Sequence, residues 1–336
     1  MKQLNHVPHN RPILIILFTF ILAGLGYGNP VKKTATLTTE SIAMLPASDA
    51  IAVVDVARLV NELLPQFRVI APKEAAKFEK EITEFMGDTG IDPYKIKSAV
   101  IGLRMTDTTV VSAIVEGITF DPNRIMATIK AKDNKQEVKV VDYKGKQIFV
   151  VSSLKAAEKA GVSEEMAFTQ LDSDRVALGN LSGIKGILDG SNDTANTALN
   201  SLLSQTNGGL LRFAANIPES AKKGLADQGD MFAQFSTIKT VFGSLDLTRE
   251  LSFLLDAKLR TGSTDEASKL QTGLAALVGL GKMFLGGNND PMMQGLTQII
   301  DLIKIGAQNN DVSLSLTIPK TVFDQFAEAN KKKSEK

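Results

Sequence analysis

His6 and His9 are the only histidines in the 336-residue chain, and there is no cysteine at all. They are therefore the only side chains able to supply an imidazole, as a base or as a metal ligand. Their setting decides whether that chemistry is available. Both sit in "NHVPHNRPILIILFTFILAGLGYGNP", which has a cationic start (Lys2, Arg11 and the terminal amine), an apolar run from Ile13 to Ala23, and small residues from Gly24 to Gly28. That is the layout of a secretory signal. Gly26 and Gly28 predict cleavage after Gly28, which leaves Asn29 first. A retained membrane anchor is the alternative, but a span needs about 20 apolar residues, and Ile13 to Tyr27 gives fewer.

Removing residues 1–28 leaves 36 basic residues (38 less Lys2 and Arg11) against 37 acidic ones, with no His, Cys or Trp and only Tyr94 and Tyr143 as phenols. Zinc, copper and haem sites lose their ligands, so only oxygen-bound ions such as Ca²⁺ or Mg²⁺ fit the inventory. Triads that depend on histidine are excluded. A net charge near zero argues against nucleic acid as a partner, because phosphate neutralisation needs a concentrated basic face. Without cysteine there is no site for a lipid-modified N-terminus. Nothing after the first segment is apolar enough to span a membrane.

The remaining reactive patterns each lack a partner. Asp189, Ser191 and Asp193 alternate as in a calcium loop, yet position six is Thr194 and position twelve is Asn200, where Gly and Glu are needed. Ser-x-x-Lys occurs at Ser152/Lys155, Ser182/Lys185, Ser220/Lys223 and Ser236/Lys239, without the Ser-Asp-Asn and Lys-Thr-Gly motifs that accompany it in penicillin-binding enzymes. Gly279 and Gly281 begin "GLGKMFLGG", but Phe284 stands where a dinucleotide fingerprint needs its third glycine. The carboxylate pairs Glu116/Asp121 and Asp172/Asp174 lack the aromatic platforms of a sugar site. Asp121 reads as a helix cap and the second pair as a turn. No catalytic, cofactor-binding or metal-binding residue is expected, and no cofactor.

The elements around these residues follow from periodicity. "LPASDAIAVVDVARLVNELLPQF" reads as a strand running into a helix, and "PKEAAKFEKEITEF" as an amphipathic helix with Phe78, Ile82 and Phe85 on one side. "KSAVIGLRM" and "TVVSAIVEGI" form a hairpin through Thr106–Thr108, "FDPNRIMATIKA" a helix, "EVKVVDYKGKQIFVV" a second hairpin, "SSLKAAEKAG" a short helix, and "DSDRVALGNLSGIKGILDG" a strand and helix. The order then recurs. "IKTVFGSLDL" answers to "IKSAVIGLRM" and "DVSLSLTIPKTVFDQF" to "DRVALGNLSGIKGILDG", with Lys97 paired to Lys239 and Val176 to Val312. The expected fold is α+β: two similar units, each a mainly antiparallel sheet packed against helices, arising by internal duplication. The boundaries are a signal peptide at 1–28, a flexible lead at 29–45, a first unit at 46–190, a solvated linker at 191–208, a second unit at 209–330 and a basic tail at 331–336.

One positive feature is apolar. "KLQTGLAALVGLGKMFLGG" and "PMMQGLTQIIDLIKIG" read as neighbouring helices, with Leu270, Leu274, Leu277, Gly281 and Phe284 on one stripe and Leu296, Ile299, Ile300 and Ile303 on another. Core packing is the ordinary role of such stripes. The alternative is an apolar-ligand groove lined by Leu270, Leu274, Leu277, Phe284, Met292, Leu296, Ile299 and Ile303, with Met283, Met292 and Met293 able to adapt.

The layout of "LPASDAIAVVDV", the two hairpins and "VSLSLTIPKTVFDQF" resembles a diffuse group of exported bacterial proteins of unknown function, in which a strand of the form "VALGN" precedes a short helix. The resemblance spans most of the chain after the signal and transfers no catalytic residue. With the signal and the incomplete motifs, the expectation is a periplasmic or extracellular, non-enzymatic envelope protein that acts by binding or as a structural component, with a protein or an apolar ligand of the cell envelope as partner. The alternative is a periplasmic carrier or chaperone for a lipid or other apolar ligand.

Overall fold

The computed structural model describes residues 39–325, apart from 71, 106–108, 133–137, 152–164, 191–193, 227–233 and 287–290. The segment expected to be a signal, most of the expected lead, the "SSLKAAEKAG" segment and the basic tail lie outside the described residues. Among the described residues, no helix is long and apolar enough to cross a membrane.

After a short helix, α1 (Thr39–Met44), strand β1 (Ala50–Val54) runs into α2 (Val56–Arg58), a π-helical segment (Leu59–Leu63) and α3 (Leu64–Ile70). Helix α4 (Pro72–Thr89) and a 3-10 turn (Pro93–Lys95) lead into the hairpin β2 (Ser98–Met105) and β3 (Thr109–Glu116), followed by α5 (Pro122–Lys132). The hairpin β4 (Val138–Tyr143) and β5 (Lys146–Val151) comes next, and then β6 (Met166–Gln170), β7 (Arg175–Asn180), α6 (Leu181–Asp189) and α7 (Thr194–Leu203). The second half comprises β8 (Leu211–Asn216), α8 (Glu219–Ala226), a 3-10 turn (Gln234–Thr237), the hairpin β9 (Thr240–Leu247) and β10 (Phe253–Arg260), helices α9 (Thr264–Leu285) and α10 (Pro291–Asp301), and the hairpin β11 (Lys304–Gln308) and β12 (Asp311–Ile318).

The α+β class and the antiparallel pairing agree with the sequence, but the expected units do not form separate sheets. All twelve strands belong to one sheet in the order β11-β12-β10-β9-β8-β1-β2-β3-β7-β6-β5-β4. The seam is the antiparallel pair of β1 and β8, with Ala52 opposite Phe213. Outward from that seam, β1-β2-β3-β7-β6 on one side matches β8-β9-β10-β12-β11 on the other. The equivalences drawn from sequence therefore fall at corresponding places, Lys97 and Lys239 just before β2 and β9, Val176 and Val312 within β7 and β12. The β4–β5 hairpin extends the first half alone.

Side chains alternate between the two faces of a strand, and both faces of the first half are apolar. One carries Val54, Ala99, Val115, Phe149 and Phe168 beneath Phe85, Ile125 and Ile129 of α4 and α5. The other carries Ile51, Val100, Ile114 and Val150 beneath Ile42 of α1, Ile184 of α6 and Leu199 and Leu203 of α7. The half is thus a helix–sheet–helix sandwich.

Further sequence expectations change. The flexible lead at 29–45 contains α1 from residue 39, with Ser41 and Ile42 buried and Leu45 after it at 0% exposure, because the apolar pair Ile42 and Leu45 has a sheet face to pack on. The solvated linker at 191–208 contains α7 from residue 194, with Leu199, Leu202 and Leu203 buried. Asn196, also buried, accepts from the backbone of Ser48 at 3.1 Å and donates to the carbonyls of Leu45 and Pro46 at 2.8 and 3.1 Å. A segment rich in small polar residues reads as solvated because its four burying positions are scattered among polar ones over about two helical turns. Strands β6 and β11 were not foreseen. Each is short and adjoins a stretch whose helical periodicity dominates, and only pairing with β7 or β12 makes it a strand.

Candidate functional site

The apolar helices α9 and α10 stand on the second half of the sheet. Helix α9 starts at Ser263, whose Oγ accepts from the Glu266 amide at 3.3 Å while Glu266 Oε2 accepts from the Gly262 amide at 2.7 Å. This reciprocal cap, with Asp265 and Glu266 in the first turn, suits the positive end of the helix dipole. The first half of α9 is anchored by Ala267 and Leu270, both fully buried against Ile238 and Val312, with Leu274, Leu259 and Ile305 packed around them.

Beyond Leu274 the helix leaves the core. Along the stripe expected to line one groove, Leu270 is 0% exposed and Phe284 83% exposed, with Met283 beside it at 72%; Leu277 between them is half-buried. A stripe that should face one environment therefore runs from core to solvent. Helix α9 has 22 residues, about 33 Å at 1.5 Å per residue, whereas the edge strand β11 it packs near has five.

Helix α10 braces the projecting end. The added Cβ of an alanine at Gly281 would stand 3.1 Å from Ile300 Cδ1, so the glycine sets how closely the two helices approach. Lys282 Nζ pairs with Asp301 Oδ1 at 2.8 Å. Leu296 is 37% exposed and Ile299 half-buried. The side chain of Met292 lies outside the described residues. Ile303 departs from the expectation: α10 ends at Asp301, and Ile303 lies in the short connection to β11, its amide reaching the Ile300 carbonyl at 3.3 Å. Of the eight expected groove residues, Leu270 is core, Ile303 is connection, and Leu277, Phe284, Leu296 and Ile299 form a partly exposed apolar end.

The sheet beside these helices adds residues that the sequence reading passed over. Phe213, Gly243, Ala257, Leu314 and Ile305 lie directly across from one another on one face, and Leu211, Leu245, Leu255 and Leu316 form the next row. Helix α9 covers the neighbouring row that contains Val312. Leu245, Leu255, Leu314 and Leu316 are only half-buried among the described residues. The alternation in "DVSLSLTI" was the available signal for this floor. On the opposite face, Asp256, Lys258 and Arg260 on β10 stand across from Ser315, Ser313 and Asp311 on β12, Arg260 Nε pairs with Asp311 Oδ1 at 2.7 Å, and buried Phe242 of β9 lies beside them.

The polar motifs make the following contacts. Glu116 is buried and accepts from Ser41 and Ser98, whereas Asp121 takes the Asn123 amide at the start of α5. Burial pushes the Asp172 carboxyl up, but the Asp174 amide and the Arg175 guanidinium outweigh it and hold the group below its ordinary range. Asp174 pairs with Lys97 at 2.7 Å. Lys185 lies over the Tyr143 ring at 5.4 Å. Asp189 accepts from Tyr143 Oη at 2.8 Å and pairs with Lys144 at 2.7 Å; Ser191, Asp193 and the Ser152/Lys155 pair lie outside the described residues. Gly279 and Gly281 are helical. Among the described residues, no group of three or more acidic residues is placed to hold a metal ion.

The chain is an α+β protein built on one large antiparallel sheet. No family model matches it, and no curated protein does. Among solved structures, crystal form I of TP0453 aligns with a TM-score of 0.43 at 9% identity, covering 87% of this chain and 98% of that one. Crystal form III of TP0453 aligns with a TM-score of 0.43 at 10% identity, covering 83% and 93%. Likenesses at that level carry no conclusion about function.

Proposed function

We propose that the chain is an exported, non-enzymatic protein of the bacterial envelope that acts by binding, and that the end of the α9–α10 pair is the element that binds. The observation that carries this reading is the exposure of Met283, Phe284 and Leu296 at 72, 83 and 37% on two helices that bear one charged residue, Lys282, between Leu270 and Ile300. Leaving large apolar groups in water wastes about 1.5–3 kcal/mol per side chain relative to burial, and clustered apolar exposure marks interaction surfaces. Export rests on the N-terminal segment. The matched strand order of the two halves supports internal duplication as the origin of the fold.

The test is a photo-crosslinking amino acid placed at position 284 of the full chain produced in bacteria. A discrete adduct in the envelope fraction, missing when the crosslinker stands at exposed, polar Lys269 instead, is expected. Equal labelling from both positions, or none from 284, would count against this surface. The half-covered floor of Leu245, Leu255, Leu314 and Leu316 favours a second reading, a carrier of an apolar ligand. Saturable uptake of a fluorescent fatty acid that is lost on Leu255→Asp, with the crosslink unchanged, would select it.

A further inference from the structure

Asn207 and Gly208 form the only Asn-Gly dipeptide in the sequence, and they lie on the connection between α7 and β8 that joins the two halves. Asn207 is exposed and in no helix or strand. Its Nδ2 donates to Asp256 Oδ2 at 2.9 Å, tying the connection to β10. Gly208 has φ +84°, and a Cβ built on it would meet nothing within 4 Å. The backbone nitrogen after Asn207 therefore belongs to a residue with no side chain to shield it and with wide conformational freedom. Asn196 is the contrast: it is buried in a helix, with its amide held by Ser48, Leu45 and Pro46.

We propose that Asn207–Gly208 is a self-modifying site at which the chain converts an amide to a carboxylate beside Asp256. The Gly208 nitrogen, on losing its proton, attacks Asn207 Cγ; the new C–N bond closes a five-membered imide, the Cγ–Nδ2 bond breaks, and Nδ2 leaves as ammonia with that proton. Water then opens the imide at either carbonyl, giving aspartate or its isomer with the backbone routed through the side chain. No oxidant or other reactant is required. The product replaces the donor facing Asp256 with a second carboxylate, so a hydrogen bond between the connection and the sheet becomes a like-charge repulsion. Arg260 Nη2 also donates to Gln205 Oε1 at 3.4 Å, and the Leu210 carbonyl accepts from the Asp55 amide at 2.9 Å. The connection between the halves would thus loosen as the protein ages.

The experiment uses the full chain, incubated in mildly acidic and in alkaline buffer and mapped by peptide mass spectrometry. The expected result is a gain of about one dalton on the peptide containing Asn207, split into two isomers and accumulating in alkali. Asn196 should stay unchanged, and no such gain should occur in the Asn207→Gln variant. Hydroxylamine, which attacks the imide, should cleave between residues 207 and 208. An intact Asn207 after alkaline incubation, under conditions where a peptide of residues 203–211 converts, would overturn the proposal, as would conversion equally advanced at Asn309 and Asn310.

Discussion

At the scale of single residues, the most consequential group is Arg58. It is 8% exposed and pairs with Asp246 (11% exposed) at 2.7 Å, and it also donates to the Leu247 carbonyl at 3.2 Å. The bond spans the seam, from the segment after β1 to β9. A buried charge left without its partner is costly, so Asp246→Ala is expected to destabilise by about 3–5 kcal/mol, whereas Arg58→Leu combined with Asp246→Leu costs far less. Urea denaturation of the three variants measures the difference; equal losses in the single and double variants would contradict it. Asp172 provides a pH signature. Its folded pKa is depressed below the ordinary 3.8, so the stability it contributes is present above that value and lost as pH falls through the lower folded one. Asp172→Asn is expected to lower stability at neutral pH by up to about 0.5 kcal/mol and to converge with the parent chain in acid, so that the acid limb of thermal melting becomes slightly flatter.

Among the elements, α9 is divided between two surroundings along its length, the core at Leu270 and solvent at Phe284. Leu270→Ala, at the anchored end, should cost about 2–5 kcal/mol because it opens a cavity between helix and sheet. Phe284→Ser, at the free end, should change stability by no more than about 0.5 kcal/mol while weakening the adduct formed when the crosslinking amino acid is moved to the exposed neighbour Met283. Chemical denaturation of both variants checks the pair. If Phe284→Ser proves as damaging as Leu270→Ala, the projecting end is structural and the proposed binding surface is lost.

For the whole molecule, the continuous sheet makes the halves depend on each other. β1 offers one edge to β2 and the other to β8, so a chain ending at Gly208 would leave β1 with an unpaired edge, and unpaired edges template association. Such a truncated chain is expected to self-associate at concentrations where the full chain does not, as sedimentation would show. The full chain should unfold in one transition by both far-ultraviolet circular dichroism and fluorescence of a probe on β10. Two separated transitions would show that the seam is energetically weak.

What the sequence determined by itself was local: the strand–helix order, the cap at Asp121, the apolar character of α9 and α10, the absence of histidine and cysteine chemistry after the first 28 residues, and the likeness of "IKSAVIGLRM" to "IKTVFGSLDL". These rest on residue type and on spacings of two to four positions, which the chain carries without reference to distant parts. Only the tertiary structure decided that the two units share one sheet, that α7 occupies the expected linker, that Leu270 and Phe284 on one stripe meet opposite surroundings, and that Leu245, Leu255, Leu314 and Leu316 lie on a half-covered floor. Strand pairing across some 160 residues, as between Ala52 and Phe213, leaves no periodic trace in either segment. Burial, likewise, depends on where a helix ends relative to the sheet beneath it, so the same apolar spacing can lead from the core into water.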